Sequence, residues 1–145
     1  MERIVVGIDG SDGSRAALRW AVAEAGIRGA VVEAVSAYHV PYTGAGTMVP
    51  LMLDPEPFRE AAKELLAKEI AEVAHAAATL PEPISPIVVE GPASLVLVEA
   101  GRRASMIVVG ARGHGGLTGM LLGSVSRQVT EHASVPVVVV PKERS

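Results

Sequence analysis

Cysteine is absent from the 145 residues, which excludes a disulfide framework, thiol chemistry and any zinc site built on sulfur. Aromatic side chains are nearly as scarce, with one Trp, two Tyr and one Phe, so Val, Leu, Ile and Ala must fill the core. No apolar run is long enough to span a bilayer as a helix. Positive charge is not in excess: 13 Lys and Arg stand against 16 Asp and Glu, a formal charge of -3, which leaves no basic footprint for nucleic acid. The first residues, MERIVVGID, lack the length and cleavage pattern of a signal peptide, and the cytoplasm is the expected compartment. His39, His75, His114 and His132 show no paired metal-ligand spacing. Two standard phosphate loops are missing as well. There is no G-x4-G-K-[ST], and Gly7, Gly10 and Gly13 recur every three residues instead of as G-x-G-x-x-G.

A hydrophobic content of 49% over this length predicts one domain, residues 1 to 145, with a sizeable aliphatic core. RIVVGID (3–9) reads as a buried strand. Leu18, Ala21, Val22 and Ala25 then recur at helical spacing, Gly26 and Gly29 bracket that helix's end, and AVVEAVSAYHV from Ala30 to Val40 is a second strand. Residues 41 to 57 are rich in Gly and Pro, with apolar character from Met48 to Leu53, and suit a surface excursion or a lid. Asp54, Pro55 and Glu56 form a helix start, and Ala62, Leu65, Leu66, Val73, Ala74 and Ala77 extend the helix at spacings of three and four. IVVEG, ending at Gly91, is a third strand. Leu95, Val98 and Ala100 mark a short helix stopped near Gly101, MIVVG is a fourth strand, and VPVVVVP, with Pro136 near its start, is a fifth. Strands alternating with helices predict a parallel sheet covered on both faces, an α/β doubly wound domain. A receiver domain shares that architecture, but its third strand should end in a phosphorylatable aspartate, and this one ends in Glu90 and Gly91.

The stretch from Ile107 to Val125, IVVGARGHGGLTGMLLGSV, sets a run of glycines between a β-branched strand and a helix. Leu122, Val125, Val129 and Ala133 share one helical face, so Gly123 and Ser124 open that helix. A helix start carries unpaired N–H groups and the positive end of the macrodipole, and a glycine there lets a phosphate approach the backbone. The Ser124 hydroxyl can cap the helix or donate to a phosphate oxygen. Asp9 follows strand one in IDGSDGS, where it can hold ribose hydroxyls or a magnesium ion, or simply brace a turn; Ser11 and Ser14 are capping candidates. Arg112 and His114 are the other charged or titratable groups of the glycine stretch.

The spacing Gly110, x2, Gly113, x9, Gly123, Ser124 resembles the nucleotide-binding signature of the ATP-binding branch of the universal stress protein family. The resemblance extends to IVVGIDGSDGSRAAL at one end and SVPVVVVP at the other. It implies a five-stranded parallel sheet in the order 3-2-1-4-5 and a regulatory ATP-binding protein with slow or no hydrolysis. It also implies that Asp9 contacts ribose or a metal-bound phosphate and that Val40 lies by the adenine through its backbone. Gly110 would border the ribose, and Gly113, Gly123, Ser124 and Val125 would meet the phosphates. Ser105 stands where the family often has aspartate. In the family's order the last strand lies at an edge, and the apolar run from Val135 to Val140 there predicts a homodimer. Two other readings share the pocket: an enzyme transferring phosphoryl or adenylyl groups, and a dimerising adaptor whose pocket is vestigial. Neither the downstream protein partner nor the inducing stress is legible.

Overall fold

Apolar residues that alternate faces along each strand divide the core into two layers, one on either side of a single sheet. A computed structural model describes residues 1–41, 54–112 and 122–142. Within them the order is β1 (Arg3–Gly7), α1 (Asp12–Arg28), β2 (Val31–Tyr38), α2 (Glu56–Glu72), α3 (Ala74–Ala77), β3 (Ser85–Glu90), α4 (Ala93–Gly101), β4 (Met106–Gly110), α5 (Ser124–His132) and β5 (Val137–Val140). The strands pair in parallel in the order β3-β2-β1-β4-β5, as the family resemblance implies.

On one face Ile4, Val6 and Ile8 meet Leu18, Ala21 and Val22 of α1 and Leu66 of α2; on the other Val5 meets Val96 and Leu97 of α4 and Val129 of α5. β5 follows the same alternation, with Val138 and Val140 toward the first layer and Val137 and Val139 toward the second. All four stay only partly buried, because β5 is an edge strand with a neighbour on one side. β3 is the other edge. It starts at Ser85, earlier than its apolar run, because an edge strand tolerates Pro86 in its ladder opposite Ala34.

Local chemistry sets the helix ends. The Ser11 side chain accepts from the Ser14 amide to cap α1, and Gly29, at φ 67, closes it in the left-handed conformation. The N-cap of α2 is Pro55 and not Asp54, the residue expected there, although Asp54 Oδ1 accepts from the Glu56 amide at 3.1 Å just before the helix. The long helix expected through Ala77 instead ends at Glu72; Val73, at φ -108 and ψ 9, bends the chain into the single turn of α3, and Ala77 and Leu80 still pack on the same core. α4 buries Val96 and Leu97 and leaves Leu95 64% exposed, so the expected Leu95 face is turned away from the sheet. No described helix is long and apolar enough to cross a membrane.

Candidate functional site

The chain leaves β1 toward β2 on one side, and later crosses from β3 to lay β4 on the other side of β1. Strand order therefore reverses between β1 and β4, and the crevice outside their carboxyl ends is where open α/β sheets take ligands. Asp9 follows β1 at that edge and is exposed. Its Oδ1 accepts from the Ser11 amide at 2.9 Å and from the Ser11 hydroxyl. The Asp9 amide donates to Ser14 Oγ at 3.3 Å, and the Ser14 hydroxyl donates to the Ser11 carbonyl at 3.1 Å. Ser11 and Ser14 are buried. Of the two capping candidates Ser11 is the cap; Ser14 supplies the capped amide and ties its hydroxyl into the turn, and the carboxylate of Asp9 is held by that same network.

The start of α1 rests against the end of β4 backbone to backbone. A Cβ on Gly13 would lie 2.4 Å from the Arg112 carbonyl oxygen, and one on Gly110 would lie 2.6 Å from the Gly13 carbonyl carbon. Gly110 thus has a structural reason to be glycine that is separate from any ribose. The same contact ties the Asp9 turn to the first residues of the glycine stretch.

That stretch is also tied at its far end. Ala111 donates its amide to Val140 O at 2.9 Å, and its carbonyl accepts from the Gly123 amide at 2.7 Å and from the Ser126 hydroxyl at 2.8 Å. Ser126 Oγ also lies 3.1 Å from Gly123 O. Ala111 and Gly123 are thereby held together, which keeps the first turn of α5 at the carboxyl edge. Gly123 is the N-cap and Ser124 the first helical residue, so Ser124 is not the capping group. The amide of Gly123 is already donated to Ala111. The Arg127 amide makes the first helical bond, to Gly123 O at 3.0 Å. By helix geometry the amides of Ser124, Val125 and Ser126 have no intrahelical acceptor.

The predicted apolar face of α5 holds at Val129 and Ala133 but not at Val125, whose place in the core Ser126 takes. Val125 is 37% exposed, whereas Ser126 is 3% exposed and Val129 fully buried. A serine can occupy the buried position because its hydroxyl is hydrogen-bonded there. Ser126→Ala should lower stability by about 1 kcal/mol, since Ala111 O keeps its bond from Gly123. Urea unfolding that gives an unchanged midpoint would remove the tether assigned to this hydroxyl.

Beside the turn lies a charged cluster. Arg15 Nη1 donates to Gly10 O at 2.9 Å and to Glu69 Oε1 at 3.2 Å, and Nη2 pairs with Asp12. Lys142 Nζ is 3.9 Å from Asp12 Oδ2. The hydrogen bond from Arg15 holds the Asp12 carboxyl below the usual carboxylate range, and Asp12 in turn raises Arg15. Glu69 is 2% exposed, and its Oε2 is buried with no hydrogen-bond partner among the described residues.

Of the residues proposed from the sequence, the structure gathers Asp9, Gly110, Gly123, Ser124 and Val125 on the carboxyl edge. Val40 follows β2 on the same edge and is 1% exposed. Gly113 and His114 lie outside the described residues, as do Met48 to Leu53. Arg112 is exposed, and its carbonyl faces Gly13. Ser105 lies at the opposite end of the sheet, its amide donating to Arg3 O at 2.8 Å, so its departure from the family's aspartate leaves the carboxyl edge untouched. Gly13, Arg15, Glu69 and Ser126 were not singled out as site residues from the sequence. For Glu69 a signal existed: it is an acid at the helical spacing of Ala62, Leu66 and Val73.

The fold and this edge have counterparts in known proteins. The model of the Universal stress protein family matches residues 1–141. A universal stress protein of Mycobacterium tuberculosis is 38% identical over 136 residues, covering 94% of this chain and 44% of the relative. The chain spans about half the length of the curated relatives it matches. A universal stress protein in complex with cAMP superimposes with a TM-score of 0.68 at 27% identity, covering 98% of each chain. The universal stress protein from Archaeoglobus fulgidus in complex with dAMP gives 0.67 at 25% identity, covering 96% of this chain and 97% of that one. Matched by the family model over nearly its whole length, and sharing the sheet order that the resemblance implies, the chain belongs to the universal stress protein family.

Proposed function

We propose that this protein is a nucleotide-binding regulatory module whose ligand is ATP with Mg2+. The observation that carries the reading is the placement of the Asp9 carboxylate and the open start of α5 on one carboxyl edge, at the reversal of strand order. The donor set suits a nucleotide. Ser124 and Val125 offer backbone amides at the positive end of a helix to phosphate, and Ser124 adds an exposed hydroxyl. Asp9 suits a ribose hydroxyl or a metal ion. Among the described residues no three His, Asp or Glu side chains gather as metal ligands. A magnesium ion would therefore be shared between Asp9 and the phosphates, the usual arrangement for that ion. Binding of cAMP and dAMP by two structural neighbours supports the nucleotide class.

The direct experiment is to denature freshly purified protein, identify released nucleotide by chromatography, and titrate the apo form calorimetrically with ATP, ADP, AMP and cyclic AMP. ATP should bind best and only with magnesium at full strength. No released nucleotide and no titration heat would favour an adaptor with a vestigial pocket. Gly123→Val should weaken ATP binding at least about tenfold, because a β-branched side chain at the helix start blocks approach to the amides behind it. Gly123 has extended backbone, φ -77 and ψ 174, which valine adopts readily, so the fold should persist. A folded variant with unchanged affinity would remove the phosphate role of this glycine.

The same proposal includes a homodimer through β5. The edge position of Val137 to Val140 and their partial exposure support it, since an apolar edge strand invites pairing. Sedimentation giving a monomer at micromolar concentration, with and without ATP, would defeat this part.

A further inference from the structure

The peptide unit joining Gly10 to Ser11 is gripped at both ends. Its N–H, on Ser11, donates to Asp9 Oδ1 at 2.9 Å; its carbonyl, on Gly10, accepts from Arg15 Nη1 at 2.9 Å. Gly10 sits at φ 83, and with no Cβ its ψ is less restrained than another residue's would be, so tilting of the peptide plane that follows it is opposed by these two hydrogen bonds together with the extended φ of -79 at Ser11. A rotation would withdraw the Ser11 N–H from Asp9 and release the carboxylate from the orientation the turn imposes. What opposes rotation on the carbonyl side is Arg15, and Arg15 is itself held by Asp12, which is exposed, and Glu69, which is 2% exposed on α2. The Asp12 pair is the shorter of the two and is open to solvent, whereas solvent does not compete for the bond to the buried Glu69 carboxylate. Burial of a carboxylate on the apolar stripe of α2 is unfavourable unless the group is paired, and the partner it has is the arginine that reaches the turn.

We infer that Arg15 and Glu69 are positioning residues for Asp9: Glu69 fixes Arg15, Arg15 fixes the Gly10–Ser11 peptide plane, and that plane fixes the carboxylate that meets the nucleotide's metal or ribose. The inference rests on the nucleotide reading given above for Asp9, but its first half concerns the turn alone. Neither residue touches the ligand in this account.

The test is a double-mutant cycle read in two ways. In the apo protein, Arg15→Ala and Glu69→Gln should speed hydrogen exchange at the Ser11 amide, measured by NMR, while amides of β4 keep their protection. In calorimetric titrations with magnesium and ATP, Arg15→Ala should weaken binding about tenfold in the wild-type background and less than about twofold in an Asp9→Ala background. Arg15→Lys, which keeps a donor for Gly10 O, should recover part of the loss. A merely structural role would weaken binding equally in both backgrounds, and that result would overturn the inference. So would Ser11 exchange that does not change in either variant. If Arg15→Ala folds poorly, Glu69→Gln carries the same cycle. Wild-type protein that binds no nucleotide would sink the functional reading; wild-type protein that binds normally, with Arg15→Ala and Glu69→Gln binding as well as it does, would sink only this inference.

Discussion

Gly13→Ala is expected to destabilise the protein by about 2 kcal/mol, although helix propensity alone predicts the opposite sign. Gly13 lies in the first turn of α1 outside the left-handed region, so alanine there should gain up to about 1 kcal/mol from reduced backbone entropy. Against that gain stands a Cβ placed 2.4 Å from the Arg112 carbonyl oxygen and 3.8 Å from Gly110 Cα. These are backbone atoms with no rotamer to move: Gly110 ends β4 and is paired there with Val140 of β5, and Arg112 follows two residues beyond. Overpacking of this kind costs about 1–3 kcal/mol even where side chains are free to shift. Gly110→Ala should behave alike, its Cβ lying 2.6 and 2.7 Å from the Gly13 carbonyl carbon and oxygen. Gly26→Ala is the control. It sits inside the same helix, and its Cβ would meet only Thr79 Oγ1 at 3.4 Å, an ordinary contact, so it should stabilise by about 0.5–1 kcal/mol. Equilibrium urea unfolding of the three variants decides the matter. A stabilised Gly13→Ala protein, matching Gly26→Ala, would show that the approach of α1 to β4 is looser than its geometry implies. Of a stability typically 5–15 kcal/mol, 2 kcal/mol is a large share.

That contact also explains what the sequence could and could not reveal. The strand order was legible only through the family resemblance, because strands alternating with helices indicate a parallel sheet covered on both faces without fixing the order of its strands. The layers followed from period: Ile4, Val6 and Ile8 face one way and Val5 the other. The faces of short helices were less legible. In α4 apolar residues outnumber the buried positions, and in α5 a serine takes one of the two, so period alone chose Leu95 and Val125, both exposed, over Val96 and Ser126. Ser126 escaped notice because its burial depends on the Ala111 carbonyl, fifteen residues earlier, as an acceptor. The family resemblance places Gly110 beside a ribose; its close approach to Gly13, which by itself demands glycine, has no signature in the sequence. The charged link from Glu69 to Arg15 spans 54 residues and two helices, a separation at which no local pattern operates. Asp9 and the start of α5 were legible for the opposite reason: each is a short local motif whose chemistry is carried by adjacent residues.

Replacing Asp9 should abolish most magnesium-dependent ATP binding and leave little turnover to lose. Backbone amides at a helix start and a hydroxyl stabilise phosphate charge in ground state and transition state alike, and equal stabilisation of both does not speed a reaction. Rapid transfer would need donors aimed at the moving phosphoryl group and a base aligned with its attacker. Asp9 Oδ1 is already committed to the amide and hydroxyl of Ser11, which suits holding a ligand better than orienting a water. Wild-type hydrolysis should therefore stay well below roughly 1 per second, the low end of typical enzyme turnover. Bound and free states would then act by presenting different surfaces to a partner, the ligand shifting a conformational equilibrium by its differential affinity. Asp9→Ala removes both the charge and the acceptor that braces Ser11, so Asp9→Asn is the sharper variant: its amide oxygen can still accept from Ser11, while the charge that attracts magnesium is gone. Asp9→Asn should keep the wild-type unfolding midpoint within about 1 kcal/mol and lose at least about tenfold in affinity for ATP with magnesium. Affinity measured without the metal should change far less. Calorimetry in the presence and absence of magnesium, paired with a steady-state phosphate-release assay, reads both expectations. Many turnovers per second in wild type, lost in an Asp9→Asn protein that still binds ATP, would make Asp9 a catalytic residue and the protein an enzyme.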